Sequence, residues 1–158
     1  MENMNRGSGL LMKCMEVLIT TAEQEVYRGR ASMVIAPSTR GEIAILPGHA
    51  PLLAILRPGE IRVDCPVHAD SSECHTDNMV VFGGYLEVQP DRITILADAI
   101  ERAPDIDEAQ AKYALKQAKK MLKSSDKCKA SRALLDLDLA IAKLQVLRRN
   151  SNSSLFKP

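Results

Sequence analysis

The sequence contains no tryptophan, and only three tyrosines and two phenylalanines occur among its 158 residues. A core built from this chain must therefore be aliphatic. A nucleic-acid reader that stacks bases on aromatic side chains is not expected. No apolar run approaches 18 residues, so the sequence predicts no membrane-spanning helix. Any association with a membrane is expected to be indirect, through a partner protein.

Motifs for covalent and phosphoryl chemistry are absent as well. The sequence has no G-x-x-x-x-G-K loop, no G-x-S-x-G and no H-E-x-x-H. Gly83-Gly84 is a pair rather than a phosphate-cradling loop, and it predicts a turn or a bulge. His49 lies in a turn without an identifiable catalytic partner. The sequence predicts a protein that is not an enzyme in its own right.

The four cysteines have no repeated spacing: Cys14, Cys65, Cys74 and Cys128. Without a secretory signal they are expected to be reduced thiols of a cytoplasmic protein. Cys65, His68, Cys74 and His75 are residue types that zinc takes, but their spacing matches no common zinc module. Cys65 also continues the apolar alternation before it and is expected to point into the core. A solvated hairpin loop is favoured, and a zinc- or anion-binding regulatory module is the alternative.

Charge is divided unevenly along the chain. Residues 1–104 contain 9 Lys+Arg and 14 Asp+Glu, a net charge of −5, whereas residues 105–150 contain 11 and 6, a net charge of +5. Such asymmetry indicates two segments with different partners.

Between residues 13 and 98 short apolar alternations are separated by Pro- and Gly-containing turns, as in Met15, Val17 and Ile19. Seven to ten short strands at this spacing predict an antiparallel β-sandwich. Residues 1–12 are polar and aperiodic, and they are expected to form a flexible leader.

Residues 105–149 predict an antiparallel two-helix hairpin, joined to the sandwich by a linker at 99–104 and followed by a disordered tail at 150–158. Asp105-Ile-Asp-Glu108 is typical of a helix start, with an Asp cap and acidic residues in the first turn. Good helix formers continue to Lys123, and Ser124-Ser-Asp126 separates the two helices. The fold class is therefore β plus α.

The second helix has two apolar stripes where a surface helix needs one. The first stripe is Leu134, Leu137, Ile141 and Leu144; the second is Leu135, Leu139, Ala142 and Val146. Either the two stripes pack at once on the first helix and on the sandwich, or the helix exchanges partners.

Lysines are frequent in the hairpin, at positions 112, 116, 119, 120, 123, 127 and 129. They form either an ordinary solvated face or a surface for an acidic protein partner. No base-reading motif accompanies them, so nucleic acid is not the expected partner.

Three segments together resemble the epsilon subunits of bacterial F-type ATP synthases. The first is Gly41-Glu-Ile-Ala-Ile-Leu-Pro-Gly-His-Ala-Pro-Leu-Leu53, and the second is Gly83-Gly-Tyr-Leu-Glu-Val-Gln-Pro90. The third is Ile93-Thr-Ile-Leu-Ala-Asp98 followed by Asp105-Ile-Asp-Glu-Ala-Gln-Ala111. They occur in the family's order, and the likeness covers about residues 13–149. Residues 65–78 are longer than is usual in the family.

The resemblance implies a non-catalytic rotor subunit on the cytoplasmic face of the bacterial inner membrane. Its sandwich would bind the gamma subunit and the c-ring, with Arg40, Glu42 and His49 near that contact. Its hairpin would either fold on the sandwich or extend along gamma to the alpha and beta subunits and block ATP hydrolysis. The lysines expected to meet the catalytic head are Lys119, Lys120, Lys123, Lys127 and Lys129.

Some members of that family bind regulatory ATP through an I/L-D-x-x-R-A motif at the start of the first helix. The corresponding residues are Ile106, Asp107 and Ala111, with Arg132 as a further candidate. Gln110 stands where the motif has arginine, which removes a phosphate-pairing charge and argues against ATP binding. No other cofactor and no metal is expected.

Overall fold

The computed structural model describes residues 13–65, 75–123 and 127–154, without the side chains of 127–129 and 152–154. The described strands are β1 (Met15–Thr20), β2 (Glu25–Ala31), β3 (Met33–Ser38), β4 (Gly41–Ile45), β5 (Leu52–Leu56), β6 (Gly59–Asp64), β7 (Thr76–Val81), β8 (Gly84–Val88), β9 (Arg92–Ala97) and β10 (Ile100–Arg102). A 3₁₀ helix at Ala103–Asp105 leads into α1 (Glu108–Met121) and α2 (Lys127–Ser154).

The strands form one continuous sheet in the order β10-β7-β6-β3-β5-β8-β9-β1-β2, with β4 paired to β3. The link between β3 and β5 is the single pair Ser38 and Leu56, so the sheet divides there into two halves. The guanidinium of Arg102 on β10 donates to the carbonyl oxygen of Val26, which joins the two edge strands. The sandwich predicted from the sequence is confirmed, with one difference. β1 and β9 run parallel, whereas the other pairs are antiparallel.

The core of the sandwich is aliphatic, as the scarcity of aromatic residues requires. Side chains from both halves of the sheet meet there, because alternate residues of each strand point to the same face. The largest fully buried ones are Met15, Ile19, Ile45, Ile61, Met79, Leu86, Ile93 and Ile95. Full burial of one such side chain contributes about 1.5–3 kcal/mol, so this core accounts for most of the stability of the sandwich.

The Gly83-Gly84 pair forms the turn into β8. Both residues have φ of +130°, a conformation that L side chains rarely adopt. A Cβ at Gly84 would lie 2.1 Å from the carbonyl oxygen of Leu96 on the neighbouring strand. The close pairing of β8 with β9 therefore requires glycine at this position.

α1 begins where the sequence predicts a capped helix start. The carboxylate of Asp107 accepts hydrogen bonds from the backbone N–H groups of Ala109 (2.8 Å) and Gln110 (3.1 Å). These contacts satisfy two of the four N–H groups that a helix start leaves without partners.

Two predicted boundaries are wrong. Residues 99–104 are not a plain linker, because Ile100–Arg102 form β10 beside β7 and the 3₁₀ helix starts at Ala103. The second helix does not end at 149 but continues through Ser154, so residues 150–154 are helical rather than part of a disordered tail. Residues 1–12 and 155–158 lie outside the described residues.

In α2 the second stripe packs on the sandwich from Leu139 onward, whereas Leu135 at its start is 54% exposed. Ala142 and Val146 are buried against Val80 of β7 and against Ala103 and Ile106. The first stripe is covered only in part, because Leu137 and Leu144 are half-buried while Leu134 and Ile141 are exposed. The described conformation therefore corresponds to simultaneous packing on the sandwich and on α1.

Small side chains, rather than the first stripe alone, fill the contact between the helices. Ala111 and Ala118 of α1 and Ala140 of α2 are buried, and they line the groove where the two helices meet. Ala133 is also buried, near the start of α2. Alanines let the helix axes approach closely, because interaxial distance depends on side-chain size at the contact.

Candidate protein-contact surfaces

An exposed apolar row crosses the outer face of the sandwich. Ile55, Tyr85 and Leu96 are direct cross-strand partners on β5, β8 and β9. Their side chains are 56%, 54% and 47% exposed, and Leu53, two residues before Ile55 on the same face, is 73% exposed. A contiguous patch of this kind, as opposed to scattered apolar residues, is characteristic of a protein-binding surface. We call these four residues the outer row.

Sequence reasoning did not identify the outer row. The available signal was the uninterrupted apolar run of β5, Leu52–Leu56, because a strand with one solvated face is expected to alternate. Only the structure shows that Tyr85 and Leu96 continue this second apolar face across two further strands.

Arg40 and Glu42 lie at the β3–β4 turn. The hydroxyl of Ser38 shapes this turn, since it donates to the carbonyl oxygen of Gly41 (2.8 Å) and accepts from the backbone N–H of Arg40 (3.1 Å). The side chains of Arg40 and Glu42 are left exposed. Both are therefore available to a partner.

His49 lies beyond the opposite end of β4, so the structure does not bring it together with Arg40 and Glu42. With five residues, β4 is about 15 Å long. The backbone N–H of Gly48 donates to the carbonyl oxygen of Pro90 (2.7 Å), which fixes the loop beside the β8–β9 turn. The His49 ring places Nδ1 2.7 Å from the carbonyl oxygen of Ala50. That contact requires the proton on Nδ1 and leaves Nε2 of the neutral ring as an acceptor.

The hairpin lysines are described in part. Lys119, Lys120 and Lys123 are exposed at the end of α1, in or just after its last turn. The side chains of Lys127 and Lys129 lie outside the described residues. A concentration of positive charge at a helix C-terminus is also favourable for the helix dipole, so it is consistent with a structural role as well as with a partner.

The residues considered for regulatory ATP do not form one cationic site. Asp107 and Ala111 line the groove between α1 and α2, but Ile106 is buried against the sandwich and Arg132 is exposed outside the groove lining. Within the described part of the chain, the charged residues that line the groove are four carboxylates and one lysine: Glu101, Asp105, Asp107, Asp136 and Lys143. This excess of negative charge opposes binding of a triphosphate.

Cys65 and His75 are neighbours at the base of the β6–β7 hairpin, where the backbone N–H of Cys65 donates to the carbonyl oxygen of His75 (2.9 Å). Their side chains have other contacts. His75 Nε2 lies 3.0 Å from Asp77, and the half-buried thiol of Cys65 lies 3.6 Å from the hydroxyl of Tyr27. Burial, followed by the hydrogen bond to Cys65, raises the pKa of the Tyr27 hydroxyl far above its ordinary value.

His68 and Cys74, the other two residues of the zinc alternative, lie outside the described residues. Within the described ranges no three His, Cys, Asp or Glu side chains are grouped so as to hold a metal ion. The alternative therefore gains no support from this part of the chain.

Among the described residues, three ion pairs join the hairpin to the sandwich. Lys143 Nζ lies 2.9 Å from both carboxylate oxygens of Glu101 and 5.2 Å from the centre of the Phe82 ring. Arg57 and Asp138 are 3.6 Å apart and exposed. Arg149 lies 3.5 Å from Oε2 of Glu60, whose side chain is only 7% exposed. None of these pairs was anticipated from the sequence, where the groups lie far apart.

These surfaces and the fold place the chain among subunits that act by binding other proteins, and comparison with known proteins specifies which. A family profile described as ATP synthase, delta/epsilon chain, beta-sandwich domain matches residues 14–103. Within the described residues, no helix is long and apolar enough to cross a membrane.

Two relatives, each called ATP synthase epsilon chain, match over most of their length. The Psychrobacter cryohalolentis protein is 41% identical over 142 residues, which cover 89% of this chain and 99% of the relative. The Acidithiobacillus ferridurans protein is 44% identical over 135 residues, which cover 85% and 91%. The chain therefore belongs to the epsilon chains of ATP synthase, the non-catalytic subunits of its central stalk. The resemblance found in the sequence, and the expectation that the chain is not itself an enzyme, are confirmed.

A solved structure supports the fold. A chain in the Euglena gracilis mitochondrial ATP synthase assembly of OSCP, F1 and c-ring superposes with a TM-score of 0.71 at 18% identity. The match covers 92% of this chain and 88% of that chain.

Proposed function

We propose that this chain couples the gamma subunit to the c-ring in proton-driven ATP synthesis and inhibits ATP hydrolysis through its hairpin. It works on the cytoplasmic face of the bacterial inner membrane, which it meets through the rest of the complex. Its sandwich stays with the rotor, while the hairpin exchanges between a docked and an extended state.

The observation that carries this proposal is the thin apolar contact beneath the hairpin. Of the residues that the structure describes, 17 buried apolar ones form the sandwich core, whereas the cluster between α2 and the sandwich contains five, of which α2 supplies Ala142 and Val146. With the partly buried Leu139 and Leu147, α2 gains on the order of 5 kcal/mol of apolar burial. Part of this gain is offset by the lost freedom of the hairpin. A net docking free energy of a few kcal/mol allows an undocked minority of roughly 0.1–10%.

The outer row is the surface that we assign to the gamma subunit. It lies on β5, β8 and β9, away from β6 and β7, where α2 packs. A partner on the outer row therefore leaves the hairpin able to move. Arg40, Glu42 and His49 are assigned to the c-ring contact, reached from the two ends of β4.

The exposed lysines at the end of α1 are assigned to the alpha and beta subunits. Lys119, Lys120 and Lys123 form a mobile positive charge once the hairpin extends, and acidic side chains on the catalytic head would attract it.

The test is ATP hydrolysis by an epsilon-depleted ATPase from the same source, titrated with the full chain and with a chain ending at Pro104. The full chain is expected to inhibit saturably, while the shortened chain binds the complex without inhibiting. Equal inhibition by both would show that the hairpin is not the brake. Failure of both to bind would contradict the assignment of partners.

A full-length variant shows whether inhibition depends on the charge of these lysines or only on the presence of the hairpin. Reversal of Lys119, Lys120 and Lys123 to Glu is expected to weaken inhibition without affecting assembly. The matched control is the triple reversal of Lys116, Arg132 and Arg148 to Glu, which changes three exposed cations of the hairpin outside the assigned set. If the control weakens inhibition as much as reversal of the assigned lysines does, only net charge matters and the assigned contact is wrong.

A further inference from the structure

Glu60 occupies an unusual position beneath α2. It belongs to β6, opposite Val80 of β7, and α2 packs across both strands. Its side chain is 7% exposed, and Oε1 is buried without a hydrogen-bond partner among the described residues. A carboxylate in such a position loses hydration that its contacts do not fully replace.

The neighbouring charges compensate Glu60 poorly. Arg149 of α2 approaches Oε2 at 3.5 Å, which is long for a charge-assisted hydrogen bond. Arg62, two residues along β6, directs its Nε toward Asp64 (3.5 Å), without a hydrogen bond. Glu42 on β4 adds a repulsive negative charge. Attraction from two arginines is thus opposed by burial and by a second carboxylate.

Glu101 provides the contrast. Lys143 of α2 contacts both of its carboxylate oxygens at 2.9 Å, and the pair is about a quarter exposed, so it keeps some hydration. The same helix is therefore joined to the sandwich by one well-formed ion pair and one poorly formed pair.

We propose that the incompletely paired carboxylate of Glu60 under α2 destabilises the docked state of the hairpin. The ion pair of Glu101 and Lys143 stabilises the same state. This inference rests on the proposed exchange of the hairpin between two states. Glu60 regains water when α2 lifts from β6, whereas the pair of Glu101 and Lys143 is lost in the same step.

Two isosteric substitutions should then act in opposite directions. Glu60→Gln removes the buried charge and should favour docking, because a neutral amide costs less to bury. Glu101→Gln removes the partner of Lys143 and should favour opening. The matching exchange of one carboxylate for one amide makes each variant the control for the other.

The undocking of α2 can be measured through a thiol that becomes accessible to solvent when α2 leaves the sandwich. Val146→Cys is nearly isosteric, and Val146 is fully buried under the sandwich in the docked state. The rate at which a disulfide reagent modifies residue 146, followed by peptide mass spectrometry, reports the opening equilibrium. A second set of variants carries Val63→Cys in place of Val146→Cys. Residue 63 lies in the core of the sandwich, so its modification reports global unfolding.

In the full-length chain, Glu60→Gln should slow modification at residue 146 on the order of tenfold, and Glu101→Gln should accelerate it several-fold. Modification at residue 63 should change little in either variant. An unchanged or faster rate at residue 146 in Glu60→Gln would overturn the inference, because Glu60 would then be neutral or an anchor.

The pH dependence provides a second test. Burial raises the pKa of the docked Glu60 carboxyl above its ordinary value of 4.5, opposed by Arg149 and Arg62 and assisted by Glu42. The docked state therefore takes up the proton more readily, and docking tightens as pH falls through the raised pKa toward 4.5. Corrected for the reactivity of the free thiol, modification of the parent Val146→Cys chain should slow on acidification from neutral pH toward 4.5. The same profile should be flat in Glu60→Gln, and a persistent slope there would overturn the role of Glu60.

Hydrolysis assays separate this inference from the proposed function. If Glu60→Gln tightens docking and also relieves inhibition of the epsilon-depleted ATPase, both stand. Tighter docking with unchanged inhibition would leave the role of Glu60 intact and refute the proposed function.

Discussion

Tyr85→Asp tests the outer row at its centre. Tyr85 lies between Ile55 and Leu96, so a carboxylate there would face any partner that covers the row. The side chain is 54% exposed in the isolated chain and contributes little to the sandwich core. The substitution should therefore leave the fold intact, apart from cross-strand contacts of about 0.2–1 kcal/mol.

The expected loss of affinity follows from the exposed fraction. Full burial of a large apolar side chain contributes about 1.5–3 kcal/mol, so burying the exposed half of Tyr85 contributes about 1 kcal/mol. A carboxylate left without a partner at the same position adds at least about 2 kcal/mol of desolvation cost. The sum of about 3 kcal/mol corresponds to a loss of affinity of roughly a hundredfold or more.

The assay is co-purification with the gamma subunit, followed by titration of the isolated pair. Leu46→Asp is the matched control, because Leu46 is 57% exposed but belongs neither to the outer row nor to the hairpin. Thermal unfolding of each variant shows that the fold is retained. Undiminished gamma binding by Tyr85→Asp would refute the assignment of the outer row. An equal loss in Leu46→Asp would show that added charge, rather than its position, weakens the complex.

Two further predictions concern stability. Gly84→Ala should destabilise the sandwich by about 3 kcal/mol or more, because the added Cβ would clash with the Leu96 carbonyl oxygen. Gly41 also has a positive φ, of +121°, but no atom lies near the position of its Cβ. Gly41→Ala should therefore cost only about 1–2 kcal/mol of backbone strain. Chemical unfolding of the two variants measures the difference, and equal costs would contradict the clash. Asp107→Ala should destabilise the hairpin by about 1 kcal/mol, because α1 loses its N-terminal cap. Circular dichroism should show a lower midpoint of helix unfolding. An unchanged midpoint would show that the cap contributes nothing to stability.

The sequence was informative where local chemistry decides the structure. Alternation placed Met15, Val17 and Ile19 in the core, and Asp107 now caps a helix whose start the pattern predicted. The parallel pairing of β1 with β9 was not predictable in this way, because alternation shows which face of a strand is buried but not which strand lies beside it.

Tertiary packing accounts for the other differences. Glu60 and Arg62 alternate with core residues, a pattern typical of a solvated outer face, yet α2 covers that face. Ala140 is too small to stand out as part of an apolar stripe in the sequence, but its small side chain allows α1 and α2 to approach closely. Contact residues for a partner remain predictions at Arg40, Glu42, His49 and the hairpin lysines.

The three ion pairs described between the hairpin and the sandwich differ in exposure and in sensitivity to salt. This difference limits which changes in conditions can release the hairpin. Arg57 and Asp138 are exposed, so their pair contributes about 1 kcal/mol at most and is screened by salt. Lys143 is better shielded, and Phe82 adds a cation–π contact that salt affects less. Ionic strength should therefore change docking only slightly. In the proposed exchange of the hairpin, release depends on the balance between apolar burial and the charge of Glu60, and we expect a binding partner or a proton to shift this balance more strongly than salt does.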